Sequence, residues 1–458
     1  MLFPSFTFLL GFLPLTVIVY FLLTRWKGSA GRIWLIAASL VFYSWFNPSY
    51  GLILGGSVAG NWFFSRMLYR RKSLLLLWIG ILCNVFMLGY FKYYDFFVEN
   101  INMIFGSSFM LKHILLPLGI SFFTFQQISF LQMVYEGSLK DRYSFSEYAL
   151  FVCFFPQLIA GPIVLPDEMM SQFSQEENLR VNSRNIAAGL YTFALGLGKK
   201  ILLADFFAAI ADKGFESVSG NFFEGWSTAL AYTFQIYFDF SGYCDMAIGI
   251  GLLFNIRLIQ NFNAPYRAEN ITDFWKRWHI TLGRFLLSSL YIPLGGNRHG
   301  KIRTCINLLV TFFISGLWHG ASYLFILWGM LHGGAMVLHR IWKEYLHCRM
   351  HVLPARILTF LFVLLAWIPF RAESMQKTLS LYKSLFMPSS WHWNPLFLSG
   401  SQLALFAAGF SIILFLTPVP ELEKRFRPTW VNACVTVVLL LGSIFLFVKT
   451  SPFIYFNF

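Results

Sequence analysis

Charge is scarce in this chain. Of 458 residues only 12% are charged, against roughly 25% in an average water-soluble domain. Too few ionic groups exist to coat a soluble globule. Acidic residues are scarcest: 21 Asp and Glu stand against 35 Lys and Arg. Cysteine is sparse and unpaired. The six cysteines, at 83, 153, 244, 305, 348 and 434, form no CxxC, which excludes a disulfide framework or a zinc-knuckle pattern and leaves them to read as small buried hydrophobes. There is no HExxH, no GxSxG elbow and no P-loop, so metalloprotease, α/β-hydrolase and nucleotide-triphosphate readings lose their usual signatures. No low-complexity segment, interdomain linker or internal repeat interrupts the chain.

What is abundant is apolar length. Mean hydropathy is +0.61 and 57% of residues are hydrophobic. Long apolar runs fall at Phe3–Leu23, Ile33–Phe46, Ser73–Tyr90, Ile357–Phe370, Ser401–Leu416 and Val431–Val448. Several approach the ~20 residues that span a bilayer as a helix. An all-α polytopic membrane protein of about eleven spans follows from this patterning. The first run lacks a basic leader and a small-residue cleavage site, so it reads as a first span rather than a signal peptide.

The net charge of +14 does not indicate nucleic-acid binding, because Lys and Arg cluster in short segments between apolar runs. These are Arg25–Arg32, Arg66–Lys72, Lys140–Arg142, Arg340–Arg349 and Lys424–Arg427. Basic loops mark the cytoplasmic side. With those loops inside, both termini are expected outside, and the tail "SPFIYFNF" faces away from the cytoplasm.

The middle of the chain differs from its flanks. Asp239 and Asp245 lie inside an apolar, helix-like run; intramembrane acids are either functional or paired within the bundle. Gly242, Gly249 and Gly251 permit close helix contact. The stretch "ENITDFWKRWH" reads as a helix start, capped by Asn270 or Thr272, with Asp273 in the first turn and an i,i+4 pair to Arg277. Trp275, Trp278 and His279 would share one face of an amphipathic interfacial helix. On spacing alone His279 is either a polar tip at headgroup level or a site residue. His319, in "SGLWHGASY", sits in an apolar run with no acid nearby. It is either a satisfied core histidine or a general base. His332 follows in "MLHGG". His113, His299, His339, His347, His351 and His392 read as surface residues; His347 and His351 have i,i+4 spacing but no acidic third ligand close by.

Five stretches carry a family resemblance: "NFNAPYRAENITDFWKRWHITLGRFLLSSLYIPLGGNRHG" (261–300), "LPLGISFFTFQQISFLQMVYEG" (116–137), "FFPQLIAGPI" (154–163), "FDFSGYCDMAIGIGLLF" (238–254) and "SGLWHGASYLFILWGMLHG" (315–333). Together they resemble the membrane-bound O-acyltransferase (MBOAT) superfamily, in the bacterial branch that O-acetylates alginate and peptidoglycan. The resemblance runs from about residue 10 to the end of the chain and implies one transmembrane domain over 1–458, with a catalytic core at 261–333 and an aromatic motif at 451–458.

The expected fold is a ring of helices around a thinned centre with a central tunnel. The resemblance places the family's catalytic histidine on His319, a second histidine on His279, and a proposed acyl-relay tyrosine on Tyr455. The interface-anchor reading of Tyr455 remains beside the relay. Asn261, Asn263, Trp275, Lys276, Arg277 and Trp278 are candidate lining residues, with Lys276 and Arg277 available to donor phosphates. The resemblance further implies acetyl-coenzyme A as donor with no bound cofactor or metal. It also implies an extracytoplasmic polysaccharide as acceptor, a Ser-His-Asp esterase-like partner, and the bacterial inner membrane as location. Alternatives at this stage are D-alanyl transfer to teichoic acid, an acyl transporter, or a non-catalytic scaffold. A C-terminal motif on the same chain argues against the first, since D-alanylation systems carry it on a separate small protein.

Overall fold

Helix ends follow local sequence closely in this computed structural model, which describes residues 1–139, 142–346, 350–394, 397–447 and 453–454. Asn47 caps the helix Pro48–Arg70, its side chain accepting from the Ser49 N–H, with proline at the first helical position. Ser73 caps Leu74–Phe105, which stops at Gly106 in the left-handed conformation (φ 62°). Ser144 and Glu147 form a reciprocal capping box on Phe145–Cys153. Among the described residues the only β pairing is an isolated bridge between Asn221 and Ser390.

The solvent logic is that of a bilayer. Large apolar side chains point outward from the apolar helices: Leu10 is 67% exposed, Phe86 77% and Phe445 81%. Polar groups lie inside. Asn61 and Asn84 are buried and exchange amide hydrogen bonds of 3.1 and 2.6 Å between Pro48–Arg70 and Leu74–Phe105. Such amide pairs hold helices together where lipid supplies no hydrophobic drive. Five described helices are long and apolar enough to cross a membrane: Thr7–Trp26, Leu74–Phe105, Gly300–His319, Tyr323–Glu344 and Val352–Arg371. Gly400–Phe415 and Trp430–Phe445 are shorter apolar helices. The chain is therefore an all-α, multi-pass membrane protein.

The helices gather into two compact units. The first comprises Met1–Leu195, Cys244–Ile259 and Phe426–Phe447. Within it Gly119 adopts φ 71°, and a Cβ there would stand 2.4 Å from the Leu158 carbonyl oxygen. Only glycine fits that crossing. The second comprises Gly196–Tyr243, Gln260–Arg425 and, of the tail, the described Phe453 and Ile454. The helix Phe222–Leu253 contributes to both units, and every residue from 231 to 253 is buried.

The expected glycine contacts divide. Gly249 meets the Gly189 carbonyl within the first unit, and Gly242 meets that of Gly196 within the second; an added Cβ would lie 2.6 and 2.7 Å from those oxygens. Gly251 instead lies against the Ile256 carbonyl just beyond its own helix, so it serves a turn rather than a helix crossing. The cysteines also divide. Cys153 and Cys244 are buried as expected, but Cys83 and Cys434 are exposed. Both lie on apolar helices, where an outward thiol meets lipid rather than water.

Candidate active site

His319 is the last residue of Gly300–His319, and the chain turns at once through Gly320–Ser322 into Tyr323–Ile341. Small residues bring the two helices together. A Cβ on Gly316 would stand 2.3 Å from the Phe325 carbonyl oxygen, and one on Gly329 2.3 Å from that of Phe312. The glycines of "SGLWHG" and "WGMLHGG" thus allow a close hairpin that fixes the histidine at its bend. His319 is 3% exposed. Its ring lies 4.8 Å from Trp318, 4.9 Å from Trp328 and 5.0 Å from Phe370, each edge to face.

His279 reaches the same neighbourhood by another route. The expected continuous helix through Trp275, Trp278 and His279 does not form. Ile271–Arg277 ends before Trp278, which is extended, and His279 takes a left-handed backbone (φ 44°) at the head of Ile280–Leu286. Two backbone hydrogen bonds tie the chain there to residues 261–263, which run antiparallel to it: the Asn263 N–H donates to the Arg277 carbonyl, and the Ile280 N–H to that of Asn261. The imidazole is enclosed by protein rather than an exposed polar tip: His279 is 1% exposed.

Asn261 defines its chemistry. The Asn261 Oδ1 accepts from the Thr281 N–H at 3.1 Å and the Thr281 hydroxyl at 3.0 Å, and lies 3.2 Å from His279 Nδ1. Because a backbone N–H can only donate, the atom facing it is the amide oxygen, and the Nδ1 facing that same oxygen must carry hydrogen. In the neutral ring Nε2 then holds the lone pair. Trp318 lies 6.0 Å from His279 and 4.8 Å from His319. The two sequence-separated histidines therefore share one tryptophan neighbour.

The comparison with known proteins now decides the family. Residues 72–351 match the family model described as MBOAT, membrane-bound O-acyltransferase family. The chain belongs to this family. It is an acyltransferase. This MBOAT protein is 45% identical over 419 residues to the peptidoglycan O-acetyltransferase of Helicobacter pylori, covering 84% of this chain and 80% of that one. It is 37% identical over 428 residues to the probable alginate O-acetylase AlgI of Pseudomonas aeruginosa, covering 91% and 81%. To the teichoic acid D-alanyltransferase of Bacillus subtilis it is 26% identical over 243 residues, covering 50% and 60%.

The remaining sequence candidates distribute unevenly in the acyltransferase. Trp275 lies 5.8 Å from Trp328 and 5.1 Å from His332. Trp278 is 1% exposed and packs in an aromatic cluster, tilted 4.9 Å from Trp367 and edge to face 5.0 Å from Phe262. Asn270 is the cap, its side chain accepting from the Asp273 N–H. Asp273 binds Arg277 Nε at 2.9 Å, so that guanidinium has an intrahelical partner. Lys276 is exposed and Asn263 half-buried. Tyr455 and His347 lie outside the described residues.

Several site features escaped the sequence reading. His332 is fully buried in an aromatic cage with Trp328 at 4.8 Å, Trp275 at 5.1 Å and Phe362 at 5.3 Å. Neither of its nitrogens has a hydrogen-bond partner among the described residues. Its spacing from His319, thirteen residues along a hairpin, hid their common neighbour Trp328. A groove of about 1000 Å³ runs along Tyr323–Ile341 and Val352–Arg371, with Phe362, Leu331, His339, Lys343 and Glu269 among its lining residues. His339, expected at the surface, is half-buried, with Nδ1 3.0 Å from the Thr272 hydroxyl. Lys200 was missed outright, although a lysine in "GLGKKILLADFF" is a visible anomaly. It is buried between Asp205 and Asp239, 2.8 Å from each.

Proposed function

We propose that this protein O-acetylates an extracytoplasmic polysaccharide, with peptidoglycan ahead of alginate, by carrying acetyl from cytoplasmic acetyl-coenzyme A through the bacterial inner membrane. The observation that carries the reading is the enclosed His319, joined through Trp318 to His279, in a chain 45% identical to a peptidoglycan O-acetyltransferase. The similarity to teichoic acid D-alanyltransferase covers half the chain, which supports that alternative less. Paired intramembrane acids would favour a transporter, but of Asp239 and Asp245 the first is occupied by an ion pair with Lys200.

In this reading His319 is the general base. It takes the proton of the attacking hydroxyl as oxygen bonds to the thioester carbonyl carbon. The carbon–sulfur bond breaks and the thiolate leaves with a proton, giving an ester and free coenzyme A. The first hydroxyl is that of Tyr455, and a Ser-His-Asp partner outside the membrane receives the acetyl group from it. His279, oriented by Asn261, positions the donor. In this reading the donor approaches along the groove lined by Leu331 and Phe362, and its phosphates meet Lys343 and His339, which line the same groove. They are better placed for this than Arg277, which Asp273 holds.

The test is ester-linked acetate on isolated cell wall and exopolysaccharide from cells expressing wild type, His319→Ala and Tyr455→Phe. Loss of a general base lowers rate by about 10²–10⁴, so His319→Ala cells should carry almost no ester acetate. Normal acetylation in that strain would remove His319 as base; normal acetylation with Tyr455→Phe would remove the relay alone. Acetate on exopolysaccharide but not wall would reverse the order of acceptors.

A further inference from the structure

Within the second unit, the Gly242–Gly196 crossing brings the segment 196–200 against Phe222–Leu253, with Lys200 N 3.3 Å from where a Gly242 Cβ would lie. The next turn, Lys199–Ala204, is a wide π turn, a local insertion that often marks functional positions. Lys200 Nζ reaches Asp205 Oδ1 and Asp239 Oδ1, both at 2.8 Å, and all three side chains are 8% exposed or less. One cation faces two carboxylates. The second oxygen of Asp239 is occupied from far along the chain: Oδ2 accepts from the backbone N–H of Ile454 at 2.7 Å, a buried bond spanning 215 residues.

The neighbouring tail residue is seated as well. The Phe453 ring stacks on Tyr243 at 4.6 Å and lies 6.1 Å from Phe240. Phe240 in turn lies 4.8 Å from His279. Phe453 and Ile454 are 5% and 7% exposed, which does not suit a pure membrane-surface anchor at these two residues. Buried ion pairs add little net stability, since desolvation offsets the Coulomb gain. Their better-attested use is to specify one arrangement. Here the arrangement is a register: among the described tail residues it is the amide of residue 454 that meets the carboxylate.

We propose that Asp239, with Lys200 and Asp205 as its charge partners, is a latch that holds the chain's own C-terminal segment through the N–H of Ile454, the residue that precedes Tyr455 in sequence. Asp239 is a positioning residue, acting through the tail. The latch stands on the geometry; its value for acyl transfer rests on the relay reading above.

The test uses the full-length protein in lipid nanodiscs and follows hydrogen exchange of its C-terminal peptide. Ile454→Pro deletes the donating N–H without touching the helix core, Ile454→Val keeps it, and Asp239→Ala deletes the acceptor. A hydrogen bond to a charged group holds an equilibrium by about tenfold to a hundredfold. Exchange in the tail peptide should rise by that factor in Ile454→Pro and Asp239→Ala, stay at the wild-type rate in Ile454→Val, and leave the peptides of Gly300–His319 unchanged. Should Asp239→Ala fail to fold, Ile454→Pro decides alone. Equal tail exchange in wild type and Ile454→Pro overturns the latch. In cells, Ile454→Pro should lower ester acetate to the Tyr455→Phe level, with the double variant no lower. Faster exchange with unaltered acetylation would keep the latch and remove the relay, so the two ideas fail separately.

Discussion

At Asn261 one amide oxygen serves three donors and thereby sets which nitrogen of His279 carries hydrogen. Asn261→Ala leaves the Thr281 N–H and the His279 Nδ1–H without that acceptor. The expected cost is about 1–3 kcal/mol, the penalty for a buried donor stripped of its partner, read as a lower thermal midpoint of the purified protein. If the asparagine works through the histidine, Asn261→Ala and His279→Ala are also non-additive in acetylation: the double variant should be no worse than His279→Ala alone. Independent, multiplying losses would separate the two residues. Little of this was legible beforehand. Asn261 and His279 are eighteen residues apart, and the left-handed turn at His279 cannot be read from a run whose spacing fits a helix.

Among the elements, the hairpin Gly300–His319 and Tyr323–Ile341 positions the proposed base, and its glycines are not equivalent. A Cβ at Gly316 meets backbone 2.3 Å away, while one at Gly334 meets nothing within 4 Å. Gly316→Ala should therefore cost about 1–3 kcal/mol through overpacking and lower acetylation, whereas Gly334→Ala should be neutral or slightly stabilising in thermal unfolding. Equal effects of the two would mean that helix propensity, not close approach, governs this hairpin. Its folding as a hairpin aside, the apolar run around His319 was legible. The aromatic enclosure of His319 was not, because Phe370 comes from another helix altogether.

On the scale of the whole molecule, lipid is the solvent, and the exposed apolar faces are the evidence. Phe86 is 77% exposed near the middle of Leu74–Phe105, and Trp26 is 83% exposed at the end of Thr7–Trp26 beside Arg25. Phe86→Lys should reduce membrane insertion, by about 2.5–3.5 kcal/mol for a lysine at mid-span. Trp26→Lys, free to reach the headgroups, should leave the yield in the membrane fraction intact. Equal yields would place Phe86 against protein rather than lipid.

Composition and periodicity alone determined the solvent and the helical class, because a bilayer forces backbone polar groups into helices and apolar side chains outward. The motifs also pointed to His319, His279 and the family to which the chain belongs. Tertiary structure decided what those histidines meet. It broke the expected helix at Trp278, gave His279 its oxygen partner, wrapped His319 and His332 around Trp328, and joined Lys200, Asp205, Asp239 and the amide of Ile454 into one buried cluster. Each of these contacts joins residues separated along the chain or placed by a backbone turn, and helical spacing carries no information about which distant side chain fills the space opposite.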